Sequence, residues 1–419
     1  MRLKLLFRPT LLLALGLVSL CSCSDEDEDA TIRKIDNVAY FISDGKVICE
    51  VVRASNAEVI RILPTVKLQG ETRRVEYIKK EGFANSKVKV LYVPETIVQF
   101  GEDAFKNTQV RELHLESLQA WCSTSFAGYD ALSNGKDPLA LNYQECASNP
   151  INRETKIFLN GEPLDIISIP RDTPIGSNVF QNLNCEEVII PEGVTKIGSC
   201  AFLNSSVRAV HLPNSVEIIW PYALYGCENI KELTLPDNLE YAGYCAYPAV
   251  SAFHVKSLEN WLKIRIGWIY SLRHPDTPAL PYGDSYYDII VDNKILKEVT
   301  VPGYIGSINP GAFYGSNITE LVAEEGVTAI GENALDKCKE LTSVTLPSSL
   351  ETMNCSFWHC DSLRFIVIRR TTPPGTDNWY FEFDSKVAAN CTLYVPQESL
   401  EAYRNDYFWG KFQNILPIN

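Results

Sequence analysis

From about Leu91 to Phe357 the chain keeps returning to one pattern of apolar and polar positions. An alternating apolar stretch runs into proline, an aliphatic residue follows, and a small–large apolar pair closes the unit. In one clear copy, Val188-Ile189-Ile190-Pro191 leads through Ile197-Gly198 to Ala201-Phe202. Val210-His211-Leu212-Pro213 leads to Ile218 and then Ala223-Leu224. Leu233-Thr234-Leu235-Pro236 leads to Ala246-Tyr247, and Val299-Thr300-Val301-Pro302 to Ile308 and Ala312-Phe313. Pro191, Pro213 and Pro236 are 22 and 23 residues apart, and the anchors Phe180, Phe202, Leu224 and Tyr247 are 22, 22 and 23 apart. Earlier copies lie around Leu91-Tyr92-Val93-Pro94 with Ala104-Phe105, and a stretched one runs from Ile62-Leu63-Pro64 to Gly82-Phe83. A fixed period of this length marks a repeat array.

One unit predicts its own geometry. The residues before each proline form a short strand whose flanking side chains face inward and whose middle one faces outward. Proline ends the strand because it has no N–H for a parallel ladder. The Ile-Gly step is expected to be a second bend, after which the Ala-Phe pair turns back into the core. A single unit cannot bury its apolar face, whereas stacked units can. The fold class is therefore mainly β: a solenoid of about 22-residue units with a parallel sheet along one side.

The pattern Leu-x-x-Val-x-Leu-Pro-x-x-Leu-x-x-Ile-Gly-x-x-Ala-Phe-x-x-Cys resembles the BspA-type leucine-rich repeat of bacterial surface proteins. Residues 341–360 follow it, with Met353-Asn354 in place of Ile-Gly and Ser356-Phe357 in place of Ala-Phe. The resemblance covers roughly residues 38–417. It implies a leucine-rich repeat solenoid, and adhesion to host matrix proteins or to other bacteria.

Residues 31–58 read as an N-terminal cap, a β-hairpin from Tyr40 to Val51 with Asp44-Gly45 in its turn. The solenoid is expected over 59–390 and a C-terminal cap over 391–419. In that cap Ser399–Arg404 starts a short helix, and Trp409, Phe412 and Ile415 close the core. Two stretches break the period, near 121–160 and 261–294. They are related, since Ser117-Leu118-Gln119-Ala120-Trp121 echoes Ser257-Leu258-Glu259-Asn260-Trp261 140 residues later. Both are expected to be oversized repeats with surface excursions.

The first 22 residues are of another kind. Arg2, Lys4 and Arg8 precede an apolar stretch from Thr10 to Leu20, too short to span a bilayer and suited to an export signal. It ends in Leu20-Cys21-Ser22-Cys23, which resembles the lipobox of bacterial lipoproteins with Cys23 as the lipidated residue; Cys21 fits worse. Asp25, Glu26, Asp27, Glu28 and Asp29 form an acidic tether over residues 23–30. It is either a solvated spacer or, by resemblance to surface lipoproteins of Bacteroides-type bacteria, a signal for export to the outer leaflet. The expected location is the Gram-negative outer membrane, at the cell surface, held by lipid alone.

Charge then narrows the partners. Removing residues 1–22 leaves 35 basic against 52 acidic side chains, a net −17 in place of −14, which excludes broad binding to nucleic acid. The outward row of the sheet contributes a candidate binding face: Tyr92, His114, His211, Thr234, His254, Thr300 and Thr345. A second outward row, two residues earlier, holds Glu112, Glu187, Glu232, Glu298 and Glu320. His211 and His254 stand two repeats apart, about 9.6 Å at the usual strand spacing of about 4.8 Å, too far to share one ion unaided, so no metal is expected. A candidate binding loop in the second insertion holds Trp261, Trp268, Tyr270, Tyr282, Tyr286 and Tyr287, which could stack on sugars or pack onto the solenoid. Eleven cysteines lie beyond Cys23, an odd number that argues against full pairing. Five of them, Cys200, Cys227, Cys245, Cys338 and Cys360, sit in recurrent core slots, and Cys122 with Cys146 is the one pair worth testing as a bridge. No catalytic motif and no cofactor site is present in the sequence.

Two partner classes remain: a host or bacterial surface protein, or a glycan taken up as a nutrient. A structural envelope role without a soluble ligand is the further alternative. Exposed aromatics in the second insertion would favour sugars, and large apolar patches on the sheet face a protein. Cys23→Ala is expected to release the protein from the membrane fraction of expressing cells. Unchanged retention in that fraction would rule out the lipid anchor.

Overall fold

Stacked turns build the molecule, and each turn gives its pre-proline strand to a parallel ladder. The computed structural model describes residues 31–52, 55–127, 146–243, 245–267, 286–376 and 382–418. Strands Val59–Arg61, Val90–Val93, Glu112–Leu115 and Lys156–Leu159 pair in parallel, one per turn. Ile166–Ser168, Glu187–Ile189 and Ala209–His211 continue the ladder as a second sheet. Glu232–Thr234, Ala252–Val255 and Asp288–Val291 make a third. The last is six-stranded and runs from Glu298–Val301 to Asn414–Pro417. Alternation follows the expected register: Leu91, Leu113 and Ile157 are buried while Tyr92, His114 and Phe158 face out.

The Ile-Gly step is not merely a bend. Lys196–Ile197, Ile218–Ile219, Tyr241–Ala242 and Arg265–Ile266 form a second parallel ladder on another side of the turn. Ser307–Ile308, Ala329–Ile330 and Thr352–Met353 do the same further on. The reason is geometric. Once the first ladder sets the turns one strand apart, their backbones meet in register elsewhere, and buried N–H and C=O groups must pair there too.

The anchors stack in the interior, Phe83 on Phe105 at 5.1 Å and Phe180 on Phe202 at 5.5 Å. Left-handed residues bracket them two positions before and two after. Asp103 and Asn107 flank Phe105, Asn178 and Asn182 flank Phe180, and Cys200 and Asn204 flank Phe202. These bends let the chain dip inward and come back, and asparagine and aspartate tolerate that conformation better than most residues. The ends are closed differently. At the N-terminus a hairpin joins Val38–Ser43 to Lys46–Val51 through Asp44 and Gly45, both at positive φ, and pairs onward with Tyr77–Ile78. At the C-terminus Trp409, Phe412 and Ile415 are buried, with Phe383 4.7 Å from Trp409 and 5.0 Å from Phe412.

All eleven described cysteines are free thiols, Cys122 and Cys146 included, so the bridge considered for that pair does not form. Both are buried, and burial raises their pKa values, to about 12 for Cys122 and about 11 for Cys146. The recurrent slot after the anchor is more than apolar. Cys227 donates its S–H to the Phe202 carbonyl, Cys338 to Phe313 and Cys360 to Leu335, at 3.0–3.1 Å. Ser205 makes the same bond to Phe180 at 2.7 Å. A small donor is what that slot requires. Beside two of these thiols lies Asp336, 2% exposed. It accepts hydrogen bonds from Ser356 Oγ at 2.8 Å and from Cys355 Sγ and the Trp358 amide at 3.2 Å. Desolvation outweighs these bonds and raises its pKa to about 6.

Phe202→Ala should cost about 3–5 kcal/mol in urea unfolding, as a large core truncation; a loss below about 1 kcal/mol would place this ring outside the core. Asp336 should make stability depend on pH. Its folded pKa lies above the ordinary 3.8, so its contribution is full below that value and is lost as pH rises through about 6. The shift is worth about 3 kcal/mol at about 1.4 kcal/mol per unit. The stability of the native chain minus that of Asp336→Asn is expected to fall by about that amount between acid and neutral pH. A difference that stays constant would show that the carboxylate is solvated.

Candidate functional site

The outward side of the long ladder carries the residues that sequence register singled out. In the first sheet Arg61, Tyr92, His114 and Phe158 are cross-strand partners and stack in order. The Arg61 guanidinium lies 3.7 Å from the Tyr92 ring centroid, Tyr92 is 4.2 Å from His114, and His114 is 4.5 Å from Phe158. The ring faces are therefore spent on one another, and solvent meets edges. Arg61 and Phe158 escaped the sequence reading because each sits in a turn where the period is stretched.

The three row histidines are each engaged by a second-row glutamate. His114 Nε2 lies 3.2 Å from Glu112, His211 Nε2 3.4 Å from Glu187, and His254 Nε2 2.8 Å from Glu232. The last two cross a strand boundary, so they tie neighbouring turns together. Among the described residues no group of His, Cys, Asp and Glu is arranged to hold a metal ion. Thr234 and Thr300 are exposed, and Thr345 is half-buried.

Toward the C-terminus the character of the face changes. Glu298 and Glu320 open the second row of the last sheet, and Ser343 and Phe365 follow in register. The first row runs Thr300, Val322, Thr345, Val367, Tyr394, Leu416. Phe365 is 47% exposed and Leu416 45%, and the Phe365 and Tyr394 rings lie 6.5 Å apart. An acidic stretch thus gives way to an apolar one on a single sheet. Phe365 could have been found by the offset of two that yielded the glutamates. Leu416 could not, because its strand lacks the repeat motif.

The second insertion requires a correction. Trp261 and Tyr287 were candidates for an exposed binding loop, yet they are 4% and 0% exposed and pack together at 6.0 Å. Trp261 belongs to the short helix Leu258–Leu262, whose Ser257 accepts the Asn260 amide as an N-cap. Its indole Nε1 donates to the Ala312 carbonyl at 2.8 Å. Trp121, its counterpart in Leu118–Cys122, donates to Val179 at 3.1 Å and is equally buried. Each tryptophan clips the turn before an insertion to a turn beyond it, which fixes the ring in the core. Tyr286 is half-buried, with the Lys339 ammonium 5.5 Å from its ring. Trp268, Tyr270 and Tyr282 lie outside the described residues, as do Cys23 and Asp25–Asp29.

A cavity of about 520 Å³ opens at the seam between the first two sheets, lined among others by Lys156, Asp165, Glu186 and Arg208. Its one thiol, Cys185, has its pKa raised by burial to about 12. A thiol held protonated is a poor nucleophile, and what the lining offers is polar contacts.

The model of the BspA type leucine rich repeat region matches in six copies over residues 64–145, 153–265 and 291–382, more than half of the chain. Solved structures of similar shape include a leucine rich cell surface protein from Faecalibacterium prausnitzii, at 16% identity and TM-score 0.48 over 93% of this chain and 96% of that one. A leucine-rich repeat protein from Bacteroides ovatus is 18% identical with TM-score 0.41, over 92% of this chain and 100% of that one. The pneumococcal vaccine antigen PcpA is 13% identical with TM-score 0.39, over 94% and 100%. No curated protein matches.

Proposed function

The chain belongs to the BspA-type leucine-rich repeat family, and from that premise we propose that it is a cell-surface binding protein whose solenoid displays an adhesive face. The partner is a protein of the host matrix or of another bacterial surface. The observation that carries this reading is the outward face of the last sheet. There Phe365, Val367, Tyr394 and Leu416 form an apolar area bordered by Glu298 and Glu320. Exposed aromatic and aliphatic side chains on a rigid, backbone-paired surface are what a protein partner buries. The role is non-enzymatic, since an extended face suits recognition.

Anchoring follows from the N-terminal residues. Lipidation at Cys23 holds the chain to the outer membrane, and Asp25–Asp29 direct it to the cell surface. Among the described residues no helix is long and apolar enough to cross a membrane. The rival reading, a nutrient glycan bound by the second insertion, loses the support of Trp261 and Tyr287, whose rings are enclosed.

An array of matrix proteins, mucins and bacterial surfaces, probed with the purified chain, tests the proposal. Saturable binding to a protein is expected, and Phe365→Ala with Leu416→Ala should weaken it about 30-fold or more, the effect of losing one hot spot of about 2 kcal/mol. Binding unaffected by that pair would move the partner off this face. Silence across the array would leave the structural envelope role.

A further inference from the structure

A different surface, on the short ladder, holds a partly exposed aromatic pair. In this ladder the residue after each inward aliphatic is small or polar: Gly101, Gly176, Gly198, Gly243, Gly267, Asn309, Gly331 and Asn354. The slot is tight. A Cβ built on Gly198 would meet the Gly176 backbone at 2.5 Å, and one on Gly243 the Pro221 nitrogen at 2.4 Å. Trp220 occupies this slot between Gly198 and Gly243, bonded to the ladder through its amide to Ile197 at 3.0 Å. Its indole is 40% exposed. A bulky aromatic where neighbouring turns use glycine, with a large part of its surface still open to solvent, breaks the local rule. Such departures concentrate at functional positions.

Tyr241 completes the pair. The two ring centroids lie 5.9 Å apart with their planes at 64°, so the edge of one ring meets the face of the other and the pair forms one stepped aromatic platform. The Tyr241 hydroxyl lies where a Cβ on residue 267 would be, 2.4 Å from it, so the glycine there lets the phenol recline. Lys196, Ile218, Tyr241 and Arg265 are successive cross-strand partners, which places the two cations about 14 Å apart at about 4.8 Å per strand. Exposed Glu217 and Glu240 immediately precede Ile218 and Tyr241. Elsewhere neighbouring turns pair their charges, as Lys79 does with Glu50 and Lys89 with Glu58. Among the described residues Lys196, Arg265, Glu217 and Glu240 make no ion pair and no side-chain hydrogen bond, although they are ladder neighbours.

We propose that the Trp220–Tyr241 platform is a glycan-binding site, a pyranose ring stacking on the exposed part of the indole with its hydroxyls on Lys196, Arg265, Glu217 and Glu240. A sugar matches both halves of this surface. Its C–H face stacks on an aromatic ring, and its rim of hydroxyls accepts from ammonium and guanidinium groups and donates to carboxylates. An apolar peptide face would leave four charges unpaired. The site is separate from the apolar face of the last sheet, so either can fail without the other.

The test is calorimetry and affinity electrophoresis of the full chain against neutral polysaccharides (xylan, mixed-linkage glucan, galactomannan) and acidic ones (polygalacturonate, hyaluronate). Saturable binding to at least one, with a change in tryptophan fluorescence, is expected. Trp220→Gly installs the residue of the flanking turns and should weaken binding about tenfold or more, the equivalent of about 1.4 kcal/mol. Lys196→Ala with Arg265→Ala removes the polar arms without breaking an ion pair or a side-chain hydrogen bond among the described residues and should weaken binding too. Selective loss for the acidic polymers in that pair would assign the cations to a uronate carboxylate. Binding that survives both changes, or no binding by the native chain, would each overturn the site.

Discussion

No turn of this chain can satisfy its own backbone or bury its own apolar side; the next turn does both. Phe202 donates its amide to Ala223 at 2.8 Å, Trp220 to Ile197 and Gly198 to Ile175, and each such bond sets its neighbours one strand apart. Everything else adapts to that spacing. The anchors stack because they repeat at the interval the amides impose, and the cysteine and serine donors reach the previous anchor's carbonyl for the same reason. Left-handed asparagines at the bends, and glycines where two turns touch, are local solutions to one imposed distance.

The same constraint makes the exterior a matter of free choice. Inward positions must be apolar and of the right size, whereas outward positions answer only to their neighbours across the ladder. The chain uses that freedom unevenly. It stacks Arg61, Tyr92, His114 and Phe158 into a closed ladder at one end. It threads His–Glu pairs through the middle, and leaves Phe365 and Leu416 open at the other end. Edges, paired charges and open apolar rings offer different things to a partner, so one face holds unlike recognition surfaces in sequence.

The inward half of the fold was legible because burial at 22-residue intervals is written in residue type alone. Val188, Ile197 and Phe202 announce their places by being apolar and periodic. The second ladder was missed because two-residue strands carry no alternation to read; Lys196–Ile197 looks like any bend until the neighbouring turns are in position. Trp261 and Tyr287 were misjudged for a related cause. Trp261 lies beside an insertion in sequence, and only its bond to Ala312, 51 residues on, reveals it as interior. Trp220 went unremarked because this copy was followed by its apolar residues, Ile218 and Ala223-Leu224, and not by the glycine it lacks. The tightness of the slot against the adjoining turn, which marks the residue as an exception, is displayed by no single repeat.

The two indole bonds have an evolutionary corollary. Trp121 joins Val179 and Trp261 joins Ala312 across the two stretches that break the period, so the residues on either side of each are held by the body itself. Closing a longer connection between fixed ends costs little, about 0.6 kcal/mol per doubling of its length. Each clip therefore works as a docking port into which segments of different size and composition can be exchanged without renegotiating the stack. Variation among relatives should collect at these two ports, where the lineage can try new contacts while the framework around them stays the same.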